Sequence, residues 1–153
     1  ILKIKPDIDF YGIFTVMKEV GSRGAHTSTY SLEPDLVVTL DETECADIPN
    51  VKEYNKFTEL GKGAAISFMD DGTIYDINLV KKYMRLANDN NIQFQVKKSA
   101  SGTNDSRAVH TEKNGVKVFP VLLPCRYTRS NVSVADKNDY NSIIDFTKMI
   151  LQN

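Results

Sequence analysis

Lys18 and Glu19, Asp41 and Arg129 are the side chains whose types and positions could do chemistry in this chain. Lys18-Glu19 follows the apolar run GIFTVM (12–17) and leads into the turn-forming stretch VGSRGA. Asp41 closes LVVTL (36–40), and Arg129 lies in PCRYTRS (124–130), just after the apolar stretch 116–123. Short apolar, β-prone runs of this kind read as buried strands. Glu19, Asp41 and Arg129 therefore stand just beyond strand ends, where α/β sheets gather their ligands. Two carboxylates in such a place could ligate a cation or move a proton, and the two cations beside them could instead neutralise them. Without that context all four are ordinary loop side chains. His26 and His110 fall on separate short helices and do not read as a ligand pair. Gly61-Lys62-Gly63 lacks the upstream glycine and the hydroxyl residue after lysine that a phosphate loop requires.

The elements that must position these groups alternate along the chain. After the strand at 12–17, a short helix fits 23–32, stopped by Glu33-Pro34. A second strand covers 36–40 and ends at Asp41, and residues 45–60 read as a polar excursion. A third strand is expected over 64–69. Asp76 caps a helix that runs to about Asn90, with Leu79, Val80, Tyr83, Met84 and Ala87 on one face. Residues 94–96 form a brief strand, and 106–113 a short helix stopped at Asn114-Gly115. The stretch 116–123 is a strand broken by Pro120. Asp139 caps the last helix, whose inner face carries Tyr140, Ile143, Ile144, Thr147, Ile150 and Leu151. Continuous apolar strands between amphipathic helices point to an α/β layered fold with a mostly parallel or mixed sheet flanked by helices.

Composition narrows the classes further. The chain has 153 residues, enough for one domain, and its 19 basic and 20 acidic residues leave a formal charge of −1. That balance gives no electrostatic reason to expect nucleic acid or an anionic membrane as partner. No apolar run has the length of a membrane span. Two cysteines, Cys45 and Cys125, are too few for a disulfide framework and read as separate reduced thiols of a cytoplasmic protein. The chain opens on Ile1 rather than Met, which reads as a piece of a longer chain or a trimmed start.

MKEVGSRGA (17–25), VVTLDET (37–43), LGKGAAISFMDDGTI (60–74), SGTNDSRAVH (101–110) and RYTRS (126–130) together resemble, in order and spacing, the glutamyl and deblocking aminopeptidases. That family of dinuclear-metal peptidases includes members often labelled endoglucanases or cellulases. The resemblance runs from about Phe10 to Leu151. It implies an α/β fold equal to part of a zinc-peptidase catalytic domain, with residues 1–153 forming a single domain, its C-terminal part. The N-terminal part and the inserted domain through which family members assemble are absent. In the family, a Glu-Glu-Val-Gly segment supplies a general base and then a metal ligand. Here Lys18 holds the base position and Glu19 the ligand position. Asp41 matches the next ligand, and Arg129 stands where the family has a histidine. Asn104 and Asp105 compete for the position of an aspartate in a Gly-Thr-Asp-Ala loop. The family's remaining ligands, a histidine and a bridging aspartate, have no counterpart here.

The family uses two divalent metals, zinc or cobalt, and such a pair about 4 Å apart needs several anionic or neutral donors to offset its repulsion. An ammonium about 4 Å from a single positive charge adds roughly 4 kcal/mol at an effective dielectric near 20, and more beside a dication. Arginine cannot shed its proton to relieve this. The expectation is therefore a degenerate site that takes no metal cofactor, with Lys18 and Arg129 pairing with Glu19 and Asp41 in place of the ions. By resemblance the chain is a truncated, degenerate metallo-aminopeptidase homologue without peptidase activity alone. The alternatives are the C-terminal half of a split enzyme completed by a separate N-terminal chain, and a non-enzymatic interaction or regulatory module that binds peptides or a full-length homologue. Flanking elements missing from the sheet would leave an edge or apolar face open, which predicts self-association.

Overall fold

A computed structural model of the protein describes residues 8–153. The chain folds as α1 (Arg23–Leu32), β1 (Leu36–Glu44), β2 (Ala64–Ile66), α2 (Ile77–Asp89), β3 (Phe94–Val96), α3 (Ser106–Val109), β4 (Lys117–Arg126), β5 (Val134–Ala135) and α4 (Lys137–Leu151). The sheet order is β1-β4-β2-β3, with β5 on β4. β1 and β4 run parallel over nine residue pairs, from Leu36↔Lys117 to Glu44↔Cys125. β2 is parallel to β3 and antiparallel to β4, and β5 is antiparallel to β4, so the sheet is mixed.

β4 is buried at consecutive positions from Val118 to Leu122, as a strand covered on both faces must be. α4 packs on β2 and β4 with α2 beside it, and α3 packs on β1 and β4 with α1 beside it. Tyr83, Phe119 and Phe146 join α2, β4 and α4: the Phe119 and Phe146 rings stack with centroids 5.9 Å apart, and Tyr83 tilts against Phe119 at 4.8 Å. Ile66, Val80, Val109 and Val121 fill the core around them.

Several expectations need correction. The largest concerns residues 12–17, expected as a buried strand: they form no strand, and Phe14 is 100% exposed. β propensity is realised by packing against neighbouring strands, and this stretch has none among the described residues. β2 stops at Ile66, the chain then turning through an isolated Met69↔Ile74 bridge. α3 closes at Val109, with Glu112 to Gly115 in turns. Pro120 does not break β4. β2 meets β4 only at Ala65↔Leu122, so the missing donor leaves no bond to β2 unmade. The cap of α4 is Asp136, which accepts from the Asn138 amide at 2.7 Å. Asp139 is instead fully buried and accepts from the amides of Gly61 and Gly63, while Tyr140, expected on the inner face, is exposed. The helix at 23–32, the Asp76 cap and the brief strand at 94–96 are as read from sequence.

Candidate functional site

The stretch from Val16 to Gly24 is a tight turn that presents Lys18 and Glu19. Met17, Gly21 and Ser22 all take left-handed backbone conformations. The Lys18 carbonyl accepts from the amides of Gly21 and Ser22, and the Val16 carbonyl accepts from Gly24 at 2.9 Å, which also occupies an otherwise unpaired amide of the first turn of α1. Only glycine fits at position 24, because a Cβ there would lie 2.5 Å from the Val16 nitrogen.

From this turn the Lys18 ammonium reaches Asp41 Oδ1 at 3.0 Å, Glu19 Oε1 at 3.3 Å and Glu42 Oε1 at 3.9 Å. Asp41 is the sheltered member of the group and Glu19 the exposed one, with side-chain exposures of 11% and 85%. Burial, helped by the neighbouring Glu42 carboxyl, pushes Asp41 up to about 6 despite the opposing pull of the ammonium. Burial also opposes the Lys18 charge, yet the hydrogen bond and charge of Asp41, with Glu42 and Glu19, hold it above the ordinary lysine value. Glu42 lies below the usual carboxylate range: burial raises it, but Asp41 and Lys18 win.

The turn, the carboxyl end of β1, the loop at 101–104, Arg107 and Ala108 of α3, and Thr128 and Arg129 wall a cavity of about 790 Å³. Arg129 lines it but forms no ion pair with a described residue, so only Lys18 makes the pairing expected of both cations. The loop carrying Arg129 is anchored by Arg126, whose guanidinium grips Asp47 at 2.7 and 3.1 Å and holds that carboxyl below its ordinary value. On the opposite wall Asn104 is buried and donates to Asp70 Oδ2 and to the Tyr75 hydroxyl, while its oxygen accepts from Thr39 and the Ser106 amide. Asp105 points elsewhere and accepts from Thr15 at 2.8 Å. Asn104 is thus the member of the Asn104-Asp105 pair that faces the cavity. Lys97, desolvated and below its ordinary value, donates to the Ser101 carbonyl on the same wall.

The structure brings together Lys18, Glu19 and Asp41, which the sequence singled out. Sequence reasoning missed Glu42, whose adjacency to Asp41 was the available signal, and it missed the Asp70–Tyr75–Asn104 network. His26 pairs with Glu112 at 3.0 Å, away from the cavity, and His110 bonds the Ser106 carbonyl. Burial pushes Cys45 up to about 11 and also raises Cys125, so neither is a ready thiolate.

The donor set does not fit a dinuclear metal centre. The carboxylates that would hold the ions already converge on an ammonium, and no group of three His, Cys, Asp or Glu side chains among the described residues has the spacing to hold a metal ion.

Comparison with known proteins agrees with the fold. The M42 glutamyl aminopeptidase family matches residues 2–146. The lysyl aminopeptidase of Pyrococcus furiosus is 30% identical over 147 residues, which are 95% of this chain and 41% of that protein. The structure of an aminopeptidase from the archaeon Desulfurococcus kamchatkensis superposes with a TM-score of 0.88 at 31% identity, over 91% of this chain and 40% of that one. The Pyrococcus horikoshii TET1 peptidase, which can assemble into a tetrahedron or a large octahedral shell, gives 0.78 at 25% identity, over 92% and 40%. The chain therefore spans about two fifths of the length of the relatives it matches. No described helix is long and apolar enough to cross a membrane.

Proposed function

This chain belongs to the M42 glutamyl aminopeptidase family, and on that premise we propose that it is a degenerate metallo-aminopeptidase homologue with no peptidase activity alone. Residues 1–153 act as one domain, the C-terminal part of such a catalytic domain. The observation that carries this reading is the Lys18 ammonium 3.0 Å from Asp41 and 3.3 Å from Glu19, the two positions that the family resemblance assigns to metal ligands. A dication at those carboxylates would have to displace or deprotonate Lys18, whose proton the same carboxylates hold more tightly than usual. Arg129 beside the cavity adds a second fixed charge of the wrong sign. The former metal site then serves as a charge cluster that fixes the turn at 16–24 against the end of β1. Incubation of the purified protein with zinc or cobalt and a chromogenic amino-acid amide tests this. No turnover is expected, and metal-dependent release of the chromophore would refute it.

The exposed stretch 8–17 and the partial span favour a second reading, in which a separate N-terminal chain supplies the missing ligands. Turnover that appears only on mixing the two chains would select it. In either reading the open side of the sheet is where the protein associates, and the leading form is self-association.

A further inference from the structure

Lys18 is not the only cation on the cavity. Arg23, Lys97, Arg107 and Arg129 line it too, and none of them forms an ion pair with a described residue. The guanidiniums of Arg107 and Arg129 donate no hydrogen bond to a described residue either. That of Arg23 reaches only the Val20 carbonyl, at 3.2 Å, and Lys97 reaches only the Ser101 carbonyl. The loop at 101–104 draws two of these cations to one wall: Lys97 bonds its first residue, and the Arg107 amide bonds the carbonyl of its last, Asn104. Arg129 reaches the same cavity from the loop after β4. The neighbouring carboxylates do not answer these charges. Glu19, Asp41 and Glu42 converge on Lys18. Asp70 is saturated, its Oδ1 accepting from the Gly72 amide and its Oδ2 from the Tyr75 hydroxyl and Asn104. Glu44 is left, exposed and with its carboxylate unpaired among the described residues. A cleft whose unanswered charges are mostly of one sign concentrates ligands of the other.

We infer that the cavity binds a small anion of two or more charges, whose carboxylate or phosphate oxygens accept from Lys97, Arg107 and Arg129. The inference rests on the reading above, in which no metal pair occupies this site, and it gives the site a ligand of the opposite sign. Chemistry favours an oxyanion. A guanidinium offers paired N–H donors in a fixed plane, which match two oxygens of one carboxylate or phosphate. Size also fits, since the cavity of about 790 Å³ falls within the roughly 300–1,000 Å³ of small-molecule sites. Burial pushes Lys97 below its ordinary value, by more than the charges of Asp70, Asp71 and Glu44 restore. A negative ligand beside it would offset that burial. Every donor named belongs to this chain, so the site needs no residue from outside it.

Titration calorimetry of the full chain at low ionic strength, with pyrophosphate and with citrate, tests the inference. The protein is first stripped of metal on a chelating resin, so that no bound ion can hold the anion. Saturable one-to-one binding with a Kd below about 1 mM is expected for at least one of the two. The tighter of them tells a phosphate ligand from a carboxylate one. Arg107→Gln and Arg129→Gln alter exposed side chains, and each should weaken binding about tenfold with native circular dichroism. Arg85→Gln removes the same charge from the exposed side of α2, away from the cavity, and should change binding by no more than about twofold. The Lys97 ammonium, followed by carbon-13 resonances, should titrate at higher pH with the anion bound. A merely structural lysine would not respond. Failure of both anions to saturate the protein overturns the inference. So does a loss in Arg85→Gln equal to that in Arg129→Gln. A chain that binds neither anion and shows no turnover with zinc or cobalt loses this inference and keeps the reading above, whereas metal-dependent turnover removes both.

Discussion

Asp41 and Asp139 are both carboxylates raised above their ordinary value chiefly by burial, and the two regions that hold them answer that burial differently. Asp139 lies in the finished part of the molecule, where β2, β3, α2 and α4 pack on one another. Its oxygens accept from the backbone amides of Gly61 and Gly63 at 2.8 and 2.6 Å, and Ser142, one turn along α4, accepts from the Ala64 amide. Fixed backbone dipoles satisfy it, with no countercharge. Asp41 lies at the edge of the sheet, where β1 has one neighbour among the described residues and the stretch at 8–17 is exposed. There a single backbone amide, that of Glu42, donates to Asp41 Oδ1 at 2.9 Å, and the rest of the answer is a whole positive charge on a long side chain, delivered from a turn. The contrast teaches that the acid packed between sheet and helices is held by backbone alone, whereas the one at the sheet edge also depends on a long side chain that a single substitution removes.

The comparison breaks most readily at Asp139. Asp139→Ala leaves the buried Gly63 amide and the half-buried Gly61 amide without their acceptor, so unfolding by urea should show a loss of about 2 kcal/mol or more. A loss below about 1 kcal/mol would mean that the backbone does not hold this end as described. Lys18→Met probes the other region. Removing the ammonium should move the Asp41 titration midpoint upward from about 6, followed by carbon-13 carboxyl resonances. The sign for stability follows from linkage. A carboxyl raised in the folded state favours folding fully below its unfolded pKa, and that contribution is lost as pH rises toward about 6. The variant should extend this loss to higher pH, and a midpoint that falls would break the account. Smallest of all, Arg129→Ala removes an exposed side chain without an ion pair to a described residue. It should change stability by no more than about 0.5 kcal/mol.

How legible each region was in the sequence follows the same division. The Asp76 cap, α2 and the strand at 94–96 could be read directly, because their signals are local and their partners lie within the chain. The role of Asp139 could not: two acids, Asp136 and Asp139, open the last helix, and only the fold brings Gly61 and Gly63 to the second of them, 78 and 76 residues away. Residues 12–17 show the opposite failure. Their composition fits a strand, but a strand needs a neighbour, and the described residues provide none. At the site, the family resemblance singled out Lys18, Glu19 and Asp41, and the structure brings the three into contact. The expectation that charge compensation would also pair Arg129 with a carboxylate is not met among the described residues, its loop being fixed elsewhere by Arg126 and Asp47. The spacing of GTNDS left Asn104 and Asp105 equivalent, and burial separates them, Asn104 turning to the cavity and Asp105 to Thr15.

The central claim is that the Lys18 ammonium takes the place of cations between Glu19 and Asp41. The most direct test is anomalous diffraction from crystals soaked in zinc or cobalt, read at those two carboxylates. The account predicts no peak there, with Lys18 still 3.0 Å from Asp41. A metal peak within bonding distance of both Glu19 and Asp41, with the lysine displaced, would contradict it.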